Sequence, residues 1–77
     1  MEYAQNLRYL REYVGKTQAE IAAILHTTQQ YYASYETGKR PLPLDRLYIL
    51  CEYYKVSADY ILGLPEGRPY VLRKTRF

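Results

Sequence analysis

Apolar side chains recur at helical spacing along most of this chain, with polar residues between them. Tyr3, Leu7, Leu10 and Val14 define one stripe, which predicts a first helix that Gly15 stops. Thr17 and Glu20 then stand as T-x-x-E, the spacing at which a hydroxyl and a carboxylate satisfy free amides at the start of a second helix. Ile21, Ala22 and Leu25 give that helix its inward face, and Ala22 is small enough to let a crossing helix come close. His26 ends it. Thr27 or Thr28 caps a third helix that runs to about Thr37, just before Gly38. Tyr32 and Tyr35 lie three apart and face the core, so Gln29, Gln30 and Ser34 fall on the outer side. Pro41 and Pro43 favour an extended link. A fourth helix begins at about Leu44, with Leu47, Leu50, Cys51 and Tyr54 inward and with Tyr48, Ile49 and Tyr53 off that face. Ser57 caps a short fifth helix that Gly63-Leu64-Pro65 terminates. No strand-like alternation precedes residue 65, so the expectation is an all-α, five-helix domain over residues 1–65.

Residues 66–77 break the pattern. Gly67 and Pro69 mark a bend, and Tyr70, Val71 and Leu72 have the composition of a single β-strand. A lone strand is stable only when paired, so this basic tail is either disordered or pairs with its copy in a second subunit.

Charge and composition narrow the function. The 77 residues suffice for one small domain with one core, and a deep substrate cavity is not expected. The net charge of +3 resides in the tail, where Arg68, Arg73, Lys74 and Arg76 face only Glu66, whereas acidic and basic residues balance over 1–65. A polyanion-binding surface is therefore local rather than global. The chain has eleven tyrosines and no tryptophan; tyrosine suits the margin of a small core, where its ring packs and its hydroxyl stays wet. The single cysteine, Cys51, excludes an intramolecular disulfide and, lying on an apolar stripe, reads as a small core residue. His26 is the only histidine, and neither residue has neighbours that suggest a catalytic dyad or a metal site. No phosphate-cradling glycine loop or carboxylate pair stands out, so no enzyme and no cofactor is expected. No apolar run spans a bilayer and the opening residues lack the layout of a signal peptide, so a cytoplasmic protein without a membrane partner is the default.

The remaining chemistry lies between Thr17 and Gly38. Glutamine donates and accepts at once, and its amide matches adenine N6 and N7 in the major groove of DNA. Gln29 and Gln30, at the start of a helix, can reach neighbouring bases; the plainer reading is two solvated polar residues. Ser34 is short and suits weak or water-mediated contact. Gln18 and Thr28 sit at helix N-termini, which attract anions and also need capping. Lys39 and Arg40 are phosphate contacts or a solvated turn, and their place directly after the third helix favours contact. Tyr31 either touches the nucleic-acid backbone or is simply exposed.

The order LRYLRE, G-x-TQ-x-x-IA, TTQQ, YE-x-G-x-R and VS-x-D-x-IL, over roughly residues 5–64, resembles the phage repressor and Cro type of helix-turn-helix proteins, the XRE-like regulators. The resemblance implies five helices, with the second and third forming the DNA-binding unit. By that resemblance Gln29, Gln30 and Ser34 meet base edges, Gln18, Thr28, Lys39 and Arg40 approach the DNA backbone, and Arg11 forms a structural salt bridge with Glu36. This chain departs from the pattern at His26, where the family often has glycine and the backbone needs a positive φ. Thr27 and Lys16 replace apolar residues, and Tyr32 replaces a smaller aliphatic. The expected function is a sequence-specific, double-stranded-DNA-binding regulator, a repressor acting as a homodimer. The alternative is an antitoxin-like module whose main partner is a protein.

Overall fold

The computed structural model describes residues 2–64. Five helices follow one another: α1 (Glu2–Tyr13), α2 (Gln18–Ile24), α3 (Gln29–Glu36), α4 (Leu44–Tyr54) and α5 (Ala58–Leu62). No strand occurs among the described residues. The tail, including the strand expected at Tyr70–Leu72, lies outside them.

Short side chains fix the helix starts. Thr17 Oγ1 accepts from the Glu20 amide at 3.1 Å, and Glu20 Oε1 accepts in return from the Thr17 amide at 2.8 Å, closing the capping box read from the sequence. Thr28, rather than Thr27, caps α3 by accepting from the Tyr31 amide. Ser57 caps α5 through the Tyr60 amide. Each such cap contributes about 1 kcal/mol. Pro43 opens α4 with no side-chain bond; its φ of −65° already suits the entry.

Four of the five helix ends share one device. A backbone amide reaches back six residues, counting inclusively, to close the last turn: Lys16 to Arg11, Thr27 to Ala22, Val56 to Cys51 and Leu64 to Asp59, at 2.9–3.1 Å. In each case the residue just before the donor is left-handed. At two ends it is glycine, Gly15 and Gly63; at the other two it is His26 (φ 58°) and Lys55 (φ 60°). The closing bond satisfies carbonyls that the helix would otherwise leave unpaired, and that gain holds a non-glycine residue in a costly conformation.

The core is one cluster. Tyr3, Leu7 and Leu10 from α1 meet Ile21, Ala22 and Leu25 from α2, Tyr32 and Tyr35 from α3, Leu47 and Leu50 from α4, and Ile61 from α5. Tyr32 and Tyr35 are almost wholly buried, with rings edge-to-face at 6.1 Å, an arrangement favoured by the ring quadrupoles. Cys51 and Tyr54 are only half-buried and pack against the cluster margin, as does Ile49. Val14 departs from expectation. Helix α1 ends at Tyr13; the Val14 amide still donates to the Leu10 carbonyl, but the chain turns at Gly15 and leaves Val14 with 44% of its surface exposed. Ala4 is buried on α1 alongside Tyr3 and Leu7.

Candidate nucleic-acid interface

A carboxylate braces the α2–turn–α3 unit from behind. The Glu36 side chain, only 3% exposed, accepts four hydrogen bonds. Arg11 grips it with two: Nε to Oε2 at 2.7 Å and Nη2 to Oε1 at 3.1 Å. Gln18 Nε2 donates to Oε1 at 3.1 Å, and the Tyr32 hydroxyl donates to Oε2 at 2.5 Å. Arg11 also donates from Nη1 to the Lys16 carbonyl, so the same guanidinium holds the link before α2. One ion pair thus joins α1, α2 and α3. Burial pushes the Glu36 carboxyl up, but the bonds from Arg11, Tyr32 and Gln18 outweigh it and hold its pKa below the ordinary glutamate value. The hydrogen bond to Glu36 raises Arg11 in turn. Burial, and then the bond to Glu36, drive the Tyr32 hydroxyl far upward, so it stays a donor. The Arg11–Glu36 pair expected from the resemblance is therefore present, with two partners that spacing did not reveal.

With its inner side fixed, α3 turns the opposite side outward. Gln29 and Gln30 are exposed in its first turn. Ser34 is half-buried, and its hydroxyl donates to the Tyr31 carbonyl one turn back, so its oxygen lone pairs remain for a partner. Gln30, Ala33, Ser34, Thr37 and Lys39 line an open groove of about 240 Å³. Lys39 and Arg40 are both exposed. Thr28 is exposed as the cap of α3. Gln18 is placed differently from the other expected backbone contacts. It opens α2, but its side-chain amide turns to Glu36 rather than standing free.

The tyrosines do more here than fill volume. The Tyr3 hydroxyl accepts from the Leu42 amide at 3.2 Å and donates to the Arg40 carbonyl at 3.5 Å, tying the loop after α3 to the start of α1. The Tyr35 hydroxyl accepts from Arg46 Nη1 at 2.6 Å, tying α3 to α4. Tyr31 is 43% exposed beneath the guanidinium of Arg40, whose carbon lies 4.4 Å from the ring centroid. Arg46 lies 5.9 Å from the same centroid. Arg46 did not stand out in the sequence; the only signal was a basic residue just past Pro43, close in sequence to Lys39 and Arg40.

Two short capped helices, a left-handed residue at the turn between them and a polar outer face on the second define a helix-turn-helix unit. The helix-turn-helix family model matches residues 7–61, and the chain belongs to that family. It is 41% identical over 73 residues to the uncharacterized HTH-type transcriptional regulator YobD of Bacillus subtilis (strain 168), an alignment covering 94% of this chain and 65% of that protein. It is 35% identical over 66 residues to the HTH-type transcriptional regulator ImmR of the same organism, covering 86% of this chain and 52% of ImmR. The chain thus spans between half and two thirds of these relatives. No solved structure matches it. Among the described residues, no helix is long and apolar enough to cross a membrane, and no cluster of His, Cys, Asp or Glu could hold a metal ion.

Proposed function

We propose that this protein is a sequence-specific, double-stranded-DNA-binding transcriptional regulator that represses as a homodimer in the cytoplasm, with residues 1–65 as the DNA-binding domain and 66–77 as a basic tail. The observation that carries this reading is the pairing of a polar, exposed first turn of α3 with a buried brace behind it. Gln29 and Gln30 face solvent while Glu36 on the same helix is bonded to Arg11 of α1 and Gln18 of α2 and accepts from the buried Tyr32. A rigid helix presenting amides suits major-groove readout, where a bidentate glutamine–adenine pair gives about 1–3 kcal/mol of discrimination. Ser34 borders the groove that continues this surface, and Lys39, Arg40, Thr28, Tyr31 and the Gln18 end of α2 flank it as candidate backbone contacts. Family membership and the names of the two relatives agree with this reading. Homodimerisation draws support from Tyr48, Tyr53 and Tyr60 of α4 and α5, with Leu44 and Leu64, which are exposed on elements that do not carry the glutamines.

Selection of bound sequences from random duplex DNA tests the reading, followed by titration of the recovered site. Gln29→Ala is expected to relax sequence preference at one position. Lys39→Ala is expected to weaken all sequences alike and to flatten the salt dependence. Absence of any enriched sequence would sink the proposal.

A further inference from the structure

Arg46 is a cation without a carboxylate partner among the described residues, and it sits in a half-buried place. Desolvating a guanidinium costs free energy unless its charge and its donors are answered. Only one hydrogen bond answers it, from Nη1 to the Tyr35 hydroxyl, and the Tyr31 ring lies at 5.9 Å. The adjacent Asp45 does not supply another: its Oδ1 accepts from the Arg46 backbone amide at 2.9 Å. A guanidinium carries five N–H donors, so most of this one's donors are free. Arg40 shows the same pattern from the other side of the chain. It is exposed and stacked on Tyr31, and it donates to the Tyr31 hydroxyl at 3.3 Å. Two guanidiniums from different elements, the loop after α3 and the first turn of α4, therefore meet at one tyrosine ring.

The position of that ring assigns it a place on a duplex. Successive residues of a helix turn by about 100°, so Tyr31 and Gln29 lie about 200° apart around α3, with Gln30 between them. With Gln30 at the centre of a groove-facing surface, Gln29 and Tyr31 fall about 100° to either side of it, which puts Tyr31 on the border, where a sugar–phosphate strand passes. We propose that Tyr31, Arg40 and Arg46 form one phosphate-binding patch on this border, and that Arg46 is a DNA-backbone contact delivered from α4. This inference rests on the DNA-binding reading above. Tyr35 and Tyr31 hold the two guanidiniums in place before DNA arrives, which lowers the ordering cost of binding.

The test uses the full chain and the selected duplex, with affinity measured over a range of salt concentrations. Neutralising one phosphate contact changes the slope of log K against log salt by about 0.9. Arg46→Gln is expected to flatten the slope by about that amount while leaving the order of preferred sequences unchanged, and Arg46→Lys is expected to restore most of the slope. A second measurement needs no variant: DNA is expected to shield Arg46 in the wild-type protein from an arginine-specific reagent, read by mass spectrometry. A wild-type slope in Arg46→Gln or unshielded Arg46 in the complex would each overturn the assignment while leaving DNA binding intact. Failure of the wild-type protein to bind any duplex would instead remove the reading on which the assignment rests.

Discussion

His26 and Lys55 occupy backbone conformations that glycine adopts at no steric cost, and Tyr54 carries a hydroxyl that no group receives. These positions set local limits on stability. A left-handed conformation costs a non-glycine residue about 1–2 kcal/mol, part of which glycine returns through its larger unfolded-state entropy. His26 is exposed and its φ is 58°, so the imidazole is dispensable for packing. His26→Gly is expected to stabilise the domain by about 0.5–1 kcal/mol, which raises the thermal midpoint of a chain this size by a few degrees; calorimetry checks it, and a lowered midpoint refutes it. Tyr54 gives the opposite kind of opportunity. Its hydroxyl is buried with no partner, and burial together with the nearby Glu36 carboxylate drives its pKa upward. Leaving such a group unpaired costs about 1–3 kcal/mol, so Tyr54→Phe is expected to be neutral or stabilising in urea unfolding. Tyr32→Phe removes a donor from Glu36 and is expected to destabilise. Equal losses in the two variants would show that Tyr54 has a partner in solution.

Three helices depend on one carboxylate, which makes their packing sensitive to acid. The Glu36 pKa is depressed in the fold. The stability it contributes is therefore present above the unfolded glutamate pKa and is lost as pH falls through the lower, folded value. Unfolding free energy is expected to decline with pH below the ordinary glutamate range in the wild type. Glu36→Gln is expected to remove that part of the decline and to lower stability at neutral pH, because the Arg11 guanidinium loses its counter-charge. Removing one partner of a buried pair costs about 3–5 kcal/mol. Parallel pH profiles for the two proteins would exclude Glu36 as the source. The same network marks how far the sequence was legible. The capping box, the Ser57 cap and the inward Tyr32 and Tyr35 follow from spacing along single helices and stand as expected, whereas spacing left Thr27 and Thr28 open as the cap of α3, and Tyr54, expected inward, is half-buried. The Arg11–Glu36 pair followed from the family resemblance. The Gln18 bond to Glu36, the Tyr3 hook on the loop and the Arg46–Tyr35 bond join residues brought together only by the tertiary fold. Tyrosine forms apolar stripes and polar hooks alike, so its hydroxyl partners have no signature in a linear pattern. Val14 failed for a related reason: helical spacing runs in the sequence to the very end of α1, where the backbone turns at Gly15 and no element covers the side chain. The glutamine face was legible in its exposure, whereas the base contacts proposed for it are a matter for the duplex.

A single copy of this domain presents one short helix, and one short helix covers too few base pairs to select a site among many. On the proposed reading, specificity at the level of the molecule comes from two copies in a fixed relation. A twofold pair places its recognition helices on one face of a duplex only if they lie about 34 Å apart, or a multiple of that distance. The pairing proposed above uses α4 and α5, since α2 and α3 carry the candidate interface; Tyr9 and Tyr13 of α1 are exposed as well. Tyr60 is 47% exposed on α5, and Tyr48 is 66% exposed on α4. Charged substitution there is expected to separate two quantities that normally move together. Tyr60→Asp is expected to leave binding to an isolated half-site unchanged while reducing affinity for the two-half-site duplex at least tenfold, since the second domain no longer arrives with the first. Inserting about half a helical turn of DNA between the half-sites is expected to reduce wild-type affinity similarly, by rotating one site to the opposite face, and to leave Tyr60→Asp unaffected. Sedimentation of the free protein and gel shifts on the paired and spaced duplexes measure both. If Tyr60→Asp weakens the half-site as much as the full site, α5 supports the domain itself rather than its pairing, and the dimer surface must be sought elsewhere on the chain.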